Sequence, residues 1–536
     1  MNIMDNNKRP VNIIASDFFT YLGRHLPQQC ASDEFYFLPR SETAVRHLNN
    51  LDDLAPEKIR DHIGYVKALL HEFSPKERES LEEEIDHLFL KQSMESFIRE
   101  FDDARVWQND PTLYIKISLF ATDQVISQRD MASDSIKNNL LAIFKQIPPF
   151  LRLAARNLSL PPEISIQIAV NMIRDALHFY KHDIQAFILE KIGEDRELIS
   201  QNGKILEAWR QYETDLLTMP SKDSFAIGDE GLTEILTVSL GYPHSPNEIL
   251  EIARDDYRKT QEKLRALARK IDSRKTWKEI VHEKLPNISS HLELMEIYEK
   301  EVQDLRRFFY SQDIVTFPPG EEITVLQTPS YLQSLRATAS YRAPMTGNAK
   351  DHGIFYVTPG EEDLGLISAN SPYLTAHETY PGHHILDHIR IHHPNQIRRQ
   401  IESPLFYEGW ACYAEKLLDD FGYVRNPHRQ LIGLKRQLWR NLRAILDVEL
   451  QTGKITLEEG AEKIESLGFS SMRAKRQIRR FALTPVYQAC YSMGMHEIIR
   501  LSKKHSSRLG HRIFHNTFLN GGEIPFYLVE KRLEAC

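Results

Sequence analysis

The chain has 536 residues, of which 41% are hydrophobic and 26% charged, with a formal net charge of −8. These are ordinary values for a folded globular protein and exclude global disorder. An acidic balance gives no electrostatic reason to expect nucleic acid as a partner, because phosphate binding calls for clustered Lys and Arg. Four cysteines, Cys30, Cys412, Cys490 and Cys536, are scattered without CxxC or finger spacing, which argues against a disulfide framework or a thiolate zinc site. The first residues lack the apolar run of a signal peptide, and no stretch reaches about 18 consecutive apolar residues. The sequence therefore predicts a cytoplasmic protein that neither spans a membrane nor docks on one.

Helical periodicity dominates the N-terminal half. Helices are predicted over 56–73, over 75–101 with Pro75 in the first turn after Ser74 as N-cap, and over 161–192. Ser245 and Pro246 open another over 247–271, and 291–310 is the next. Phe317-Pro318-Pro319-Gly320 reads as a turn. Two β-branched or aromatic runs then read as strands, Ile323 to Gln327 and Gly353 to Thr358, closed by Pro329 and Pro359-Gly360. Helical spacing returns from Ser371. The expected architecture is mainly α, a large two-lobed helical body with a small sheet beside a cleft. The helical lobe spans 1–312 and a catalytic lobe 313–536.

The segment that bears chemistry is Ala376-His377-Glu378-Thr379-Tyr380-Pro381-Gly382-His383-His384. His-Glu pairs also occur at 71–72, 282–283 and 496–497, and none has a second His four residues on, so HExxH is absent. On an unbroken helix His383 would point about 240° away from His377, and His384 would lie about 10.5 Å along the axis. Pro381-Gly382 disturbs that helix, and a bulge there would return a second imidazole, His383 or alternatively His384, to the side of His377. His384, His388 and His392 also share one face, which reads as a solvated stripe. A third ligand calls for a carboxylate on a nearby helix. Glu408 and Glu415, seven residues apart in FYEGWACYAE (406–415), share a face. One of them would bind the metal while the other orients a ligating His.

The pairing of HETYPGHH (377–384) with FYEGWACYAE (406–415) resembles the bacterial family known as domain of unknown function 885, whose members carry HE-x-x-PGHH and EGWALYAE-like segments. Weaker similarities lie in the strand 353–359, in NLRAILDVELQ (441–451) and in PVYQACYSMG (485–494). The resemblance implies a zincin-like relation to the zinc peptidase superfamily of thimet oligopeptidase and the thermophilic carboxypeptidases. It implies His377, His383 and Glu408 as ligands of one Zn2+ per chain (with Mn2+ or Co2+ as alternatives), Glu378 as catalytic base, and Tyr491 as donor to the oxyanion, with Tyr407 and Tyr380 as runners-up. Glu415 then orients a ligand. Glu449 and Gln451 stand where the family usually has Gly and His.

The expected activity is zinc-dependent hydrolysis of peptide or amide bonds in short substrates, as a carboxypeptidase or oligopeptidase. The rivals are a zinc hydrolase of a non-peptide amide or ester and a non-catalytic helical binding protein. Arg443 and Arg440, less so Arg436, are candidates to clamp a substrate carboxylate. Tyr356 and the strand that carries it are candidates to pair with an extended substrate.

Overall fold

The computed structural model describes residues 9–32, 34–72, 80–127, 132–283, 285–329, 339–344, 352–358 and 364–536. It is mainly helical, with one small three-stranded sheet. The chain divides into two compact units, one formed mainly by Met1–Phe225 and the other mainly by Ala226–Thr328 and Lys350–Cys536.

In the first unit the described helices include Val11–His25, Pro56–Glu72, Leu81–Ile98, Pro111–Ile126, Ser133–Asn157 and Arg196–Thr218. Their apolar stripes bury Phe18, Leu22, Tyr114, Phe144 and Trp209. The helix expected from Pro75 is described from Leu81. Ser80 caps it by accepting from the Glu83 N–H, and Glu83 reaches back to the Ser80 N–H. Ser74 and Pro75 lie outside the described residues. The stretch 161–192 is helical as expected, with one wide turn at Phe179–Asp183.

The second unit is built on long helices. Ser245 caps Pro246–Ile271 through a reciprocal bond with Glu248, as the local sequence predicts. This helix packs along Pro427–Gln451, tied by the buried bond from Asn441 Nδ2 to Thr260 Oγ1 at 3.1 Å and by Arg254–Glu449 at 2.7 Å. Residues 226–312 therefore belong with the second unit and not with the helical lobe expected over 1–312. The change of pattern near 315 suggests a boundary there, whereas cross-helix packing sets it.

The sheet holds β1 (Ile323–Gln327), β2 (Ala339–Arg342) and β3 (Gly353–Val357) in the order β1-β3-β2. β3 lies parallel to β1, with Val325 opposite Phe355, and antiparallel to β2, with Tyr341 opposite Phe355. Every residue of β3 is buried, as expected of an aromatic and β-branched strand flanked on both sides. β3 therefore has no free edge, and Tyr356, paired between Leu326 and Ser340 and buried, is not placed to receive an extended substrate. The outer strands are β1 and β2, and the Ala-Ser-Tyr-Arg of β2 alternates buried and half-buried positions.

Candidate metal centre

The motif segment folds as two helices and not as one bulged helix. Ser371–Glu378 ends at Thr379, the Tyr380–Pro381 peptide is cis, and His383–Ile391 starts after Gly382. Gly382 is required by space. A Cβ there would lie 1.9 Å from the carbonyl oxygen of His377 and 2.3 Å from that of Ala376. The turn thus folds back onto the end of the first helix, and the His377 and His383 rings come to 4.7 Å between centroids. Trp410 Nε1 donates to the Pro381 carbonyl at 2.7 Å, pinning the turn to the helix Pro404–Asp420.

That helix supplies Glu408. Its Oε2 faces His377 Nε2 at 3.4 Å and His383 Nε2 at 3.7 Å and accepts no hydrogen bond, although it is buried. One ligand atom from each of His377, His383 and Glu408 lies within 4.8 Å of the other two, and all three residues are buried. Ligands about 2.0–2.1 Å from a tetrahedral ion stand about 3.3–3.4 Å apart. The donor types, their spacing and the unpartnered buried oxygen fit a divalent ion.

Each ligand candidate is held from behind. Glu415 Oε1 lies 3.0 Å from His377 Nδ1, which fixes the proton on that nitrogen and leaves Nε2 as a donor of its lone pair. Arg436 donates twice to Glu415, at 3.0 and 2.8 Å, and Arg440 Nη1 at 2.7 Å. His383 is stacked on Tyr407 at 3.9 Å, and the Tyr407 hydroxyl donates to Asp387 Oδ2 at 2.8 Å. Its Nδ1 has no hydrogen-bond partner among the described residues. Tyr487, not anticipated from sequence, donates its hydroxyl to Glu408 Oε1 at 2.7 Å. Its spacing of four from Tyr491 is the signal that would have found it.

The electrostatics follow from these contacts. Burial works against the His377 imidazolium, but contacts with Cys412, Glu408 and Glu415 overcome it and raise its pKa well above the ordinary value. Burial likewise opposes ionisation of Glu408 and Glu415. The two imidazoles hold Glu408, and Arg436 and Arg440 hold Glu415, well below the usual carboxylate range. Both carboxylates are therefore held ionised by the groups around them. Glu378 differs: burial pushes its carboxyl up, and its Oε2 accepts the Tyr341 N–H at 2.8 Å.

The other sequence candidates separate. His384 turns away from the cluster, with Nε2 3.5 Å from Glu321 Oε2 and Nδ1 3.4 Å from the Tyr341 hydroxyl. Tyr491 is half-buried; its ring lies nearly parallel to His377 at 6.4 Å, and its hydroxyl bonds within the Glu408–Tyr487 pair. Burial raises its pKa. The runners-up have other partners, Tyr380 with Glu321 and Tyr407 with Asp387. Arg440 is buried against Glu415 and, with Arg436, is not available as a carboxylate clamp. Arg443 bonds Gln488 and covers the Tyr491 ring. Glu449 pairs with Arg254 and Lys463, and Gln451 donates to the carbonyls of Phe481 and Ala482, so both departures from the family pattern brace helices.

One crossing sets the distance between Glu408 and the two tyrosines. The helix Tyr487–Leu509 meets Pro404–Asp420 where Gly494 faces Gly409. A Cβ on Gly494 would lie 2.0 Å from the Leu405 carbonyl oxygen, and one on Gly409 would lie 2.5 Å from Gly494 Cα.

Two solved structures share the fold. One, described as a putative lipoprotein of unknown function from Shewanella oneidensis, is 19% identical with a TM-score of 0.75, covering 97% of this chain and 98% of its own. The other, described as the putative lipoprotein from Colwellia psychrerythraea, is 14% identical with a TM-score of 0.83, covering 99% of each. They correct the cytoplasmic expectation, which rested on the absence of an apolar leader: chains of this fold, matched nearly end to end, are described as lipoproteins. Among the described residues no helix is long and apolar enough to cross a membrane. The chain matches no curated protein. The family model matches residues 39–533, well beyond the motif segments and into the N-terminal half, and the chain belongs to the family described as bacterial protein of unknown function, DUF885.

Proposed function

We propose that the second unit is zincin-like and that the chain is a metal-dependent hydrolase of amide bonds in short peptides. One observation carries this reading: the buried convergence of His377, His383 and Glu408, whose facing oxygen has no hydrogen-bond partner. His377, His383 and Glu408 would hold the ion, zinc by their donor types. Bound there, the ion supplies Lewis acidity and favours ionisation of water near neutral pH.

The chain's own groups do the rest. Glu378, raised by burial and oriented by the Tyr341 N–H, takes a proton from the attacking water and passes it to the leaving amine. Tyr491 keeps its proton at neutral pH, being raised by burial, and donates it as a hydrogen bond to the developing oxyanion. Tyr487 holds Glu408 through Oε1, leaving Oε2 toward the imidazoles.

Glu378→Gln tests this reading. Metal analysis is expected to find about one zinc per chain in both wild type and variant. Hydrolysis of a short-peptide panel is expected to fall by at least about 100-fold in the variant. Fresh protein free of transition metal, with no hydrolysis gained on adding zinc, overturns the proposal.

A further inference from the structure

The helix Pro427–Gln451 presents three arginines, Arg436, Arg440 and Arg443, at spacings of four and three, so all lie on one face. Two of them converge on one acid, Glu415. Arg443 is different. Its Nε and Nη2 both donate to Gln488 Oε1, at 2.9 and 2.6 Å, and Gln488 is neutral. No carboxylate stands within ion-pair distance of Arg443 among the described residues. Asp447, one turn on, acts on it only through space, its two oxygens accepting the backbone N–H groups of Val486 and Ala489 at 3.0 and 3.1 Å.

The guanidinium lies 3.7 Å above the centre of the Tyr491 ring, which itself runs parallel to His377 at 6.4 Å. The charge is therefore no more than about 10 Å from the His377 ring. A half-buried cation with a neutral partner favours an anion, and a guanidinium whose plane is fixed on one edge presents its remaining N–H groups in the fork that suits a carboxylate.

We infer that Arg443, oriented by Gln488 and the Tyr491 ring, receives a carboxylate of the substrate, so that the substrate class is short peptides with a free C-terminus close to the bond cleaved. The inference rests on the hydrolase reading for the bond, but the carboxylate site is testable without turnover. The probes are N-acetyl-glycyl-phenylalanine and its C-terminal amide, titrated calorimetrically into the full chain carrying Glu378→Gln, without added metal. The acid is expected to bind at least about tenfold more tightly than the amide. Arg443→Met removes that ratio. Gln488→Glu removes it too by giving Arg443 an internal anion while keeping size and shape, and so serves if Arg443→Met does not fold. Equal binding of acid and amide, no binding of either, or a ratio that survives Gln488→Glu overturns the inference. If the ratio is present and no peptide is hydrolysed by the metal-loaded wild type, the hydrolase reading fails and the carboxylate site stands. Hydrolysis indifferent to amidation has the opposite meaning.

Discussion

Glu415→Gln isolates the support behind His377. Glu415 and Arg440 are 5% and 7% exposed, so the charges meet in a region that water does not screen. The carboxylate accepts from Arg436 at 3.0 and 2.8 Å, from Arg440 at 2.7 Å and again at shorter range, and stands 3.0 Å from His377 Nδ1. An amide keeps one acceptor oxygen and turns its NH2 toward donors, leaving two guanidinium groups with no carboxylate in contact and only Glu408, across the His377 ring, as the nearby anion. Breaking a buried pair on one side costs about 3–5 kcal/mol. His377 loses its Nδ1 partner, and losing such a partner weakens metal affinity by about 10–100-fold. Thermal unfolding with and without chelator reads the first effect, and competition with a chromogenic chelator reads the second. The double variant Glu415→Gln/Arg440→Met separates them. Removing one of the two stranded cations recovers part of the stability but none of the affinity. A single variant within about 1 kcal/mol of wild type, holding zinc as tightly, would refute the reasoning.

Replacing His383 by Ala is expected to abolish stoichiometric zinc binding, whereas His384→Ala retains it, because His384 faces Glu321; metal analysis after gel filtration decides, and the reverse pattern moves the ligand. Gly494→Ala places a Cβ 2.0 Å from the Leu405 carbonyl oxygen, so one helix shifts by about 1 Å; the expected loss is about 1–3 kcal/mol in denaturant unfolding, with weaker zinc binding because Glu408 moves with its helix. His515 is fully buried between the Ile314 carbonyl and the Tyr413 hydroxyl, and burial lowers its pKa to about 4. A lowered histidine contributes stability that is complete above its unfolded value of about 6.5 and is lost as pH falls from there toward 4. Its share is about 2 kcal/mol between pH 6.5 and 5, so His515→Asn should flatten the acid side of the stability curve by that amount.

Local chemistry was legible in the sequence where it acts locally. Ser245 with Glu248 marks a helix start because the bonds span three residues, and β1 and β3 are rich enough in β-branched and aromatic residues to read as strands. β2 is only four residues of mixed character and takes its extended form from pairing with β3. Pro381-Gly382 reads as an interruption, but its extent depends on Gly382 meeting the carbonyls of the preceding helix, a contact that spacing does not encode. The arginines show the limit most plainly. Arg436, Arg440 and Arg443 look alike on one helical face, and their difference lies in Glu415 and Gln488, which come from two other helices. His384 could be separated from His383 only once Glu321, sixty-three residues away, is seen to face it.

The charge balance links these features. Glu408 is a buried anion with no Lys or Arg in ion-pair contact among the described residues; its partners are two imidazoles and the hydroxyls of Tyr487 and Tyr491. An uncompensated buried carboxylate costs several kcal/mol, so the arrangement holds only if positive charge enters at the imidazoles. A proton on His377 answers that need, which is why its pKa rises in spite of burial. A divalent ion answers it more fully and cannot share Nε2 with the proton. Under the metal-centre reading, protonation of His377 and uptake of the ion are therefore one linked equilibrium: loading releases protons, and affinity weakens as pH falls. Glu415 takes part in both states, accepting from Nδ1 in either, and its two arginines keep it ionised throughout. Arg443 stands outside this balance, which is what leaves its charge for a ligand.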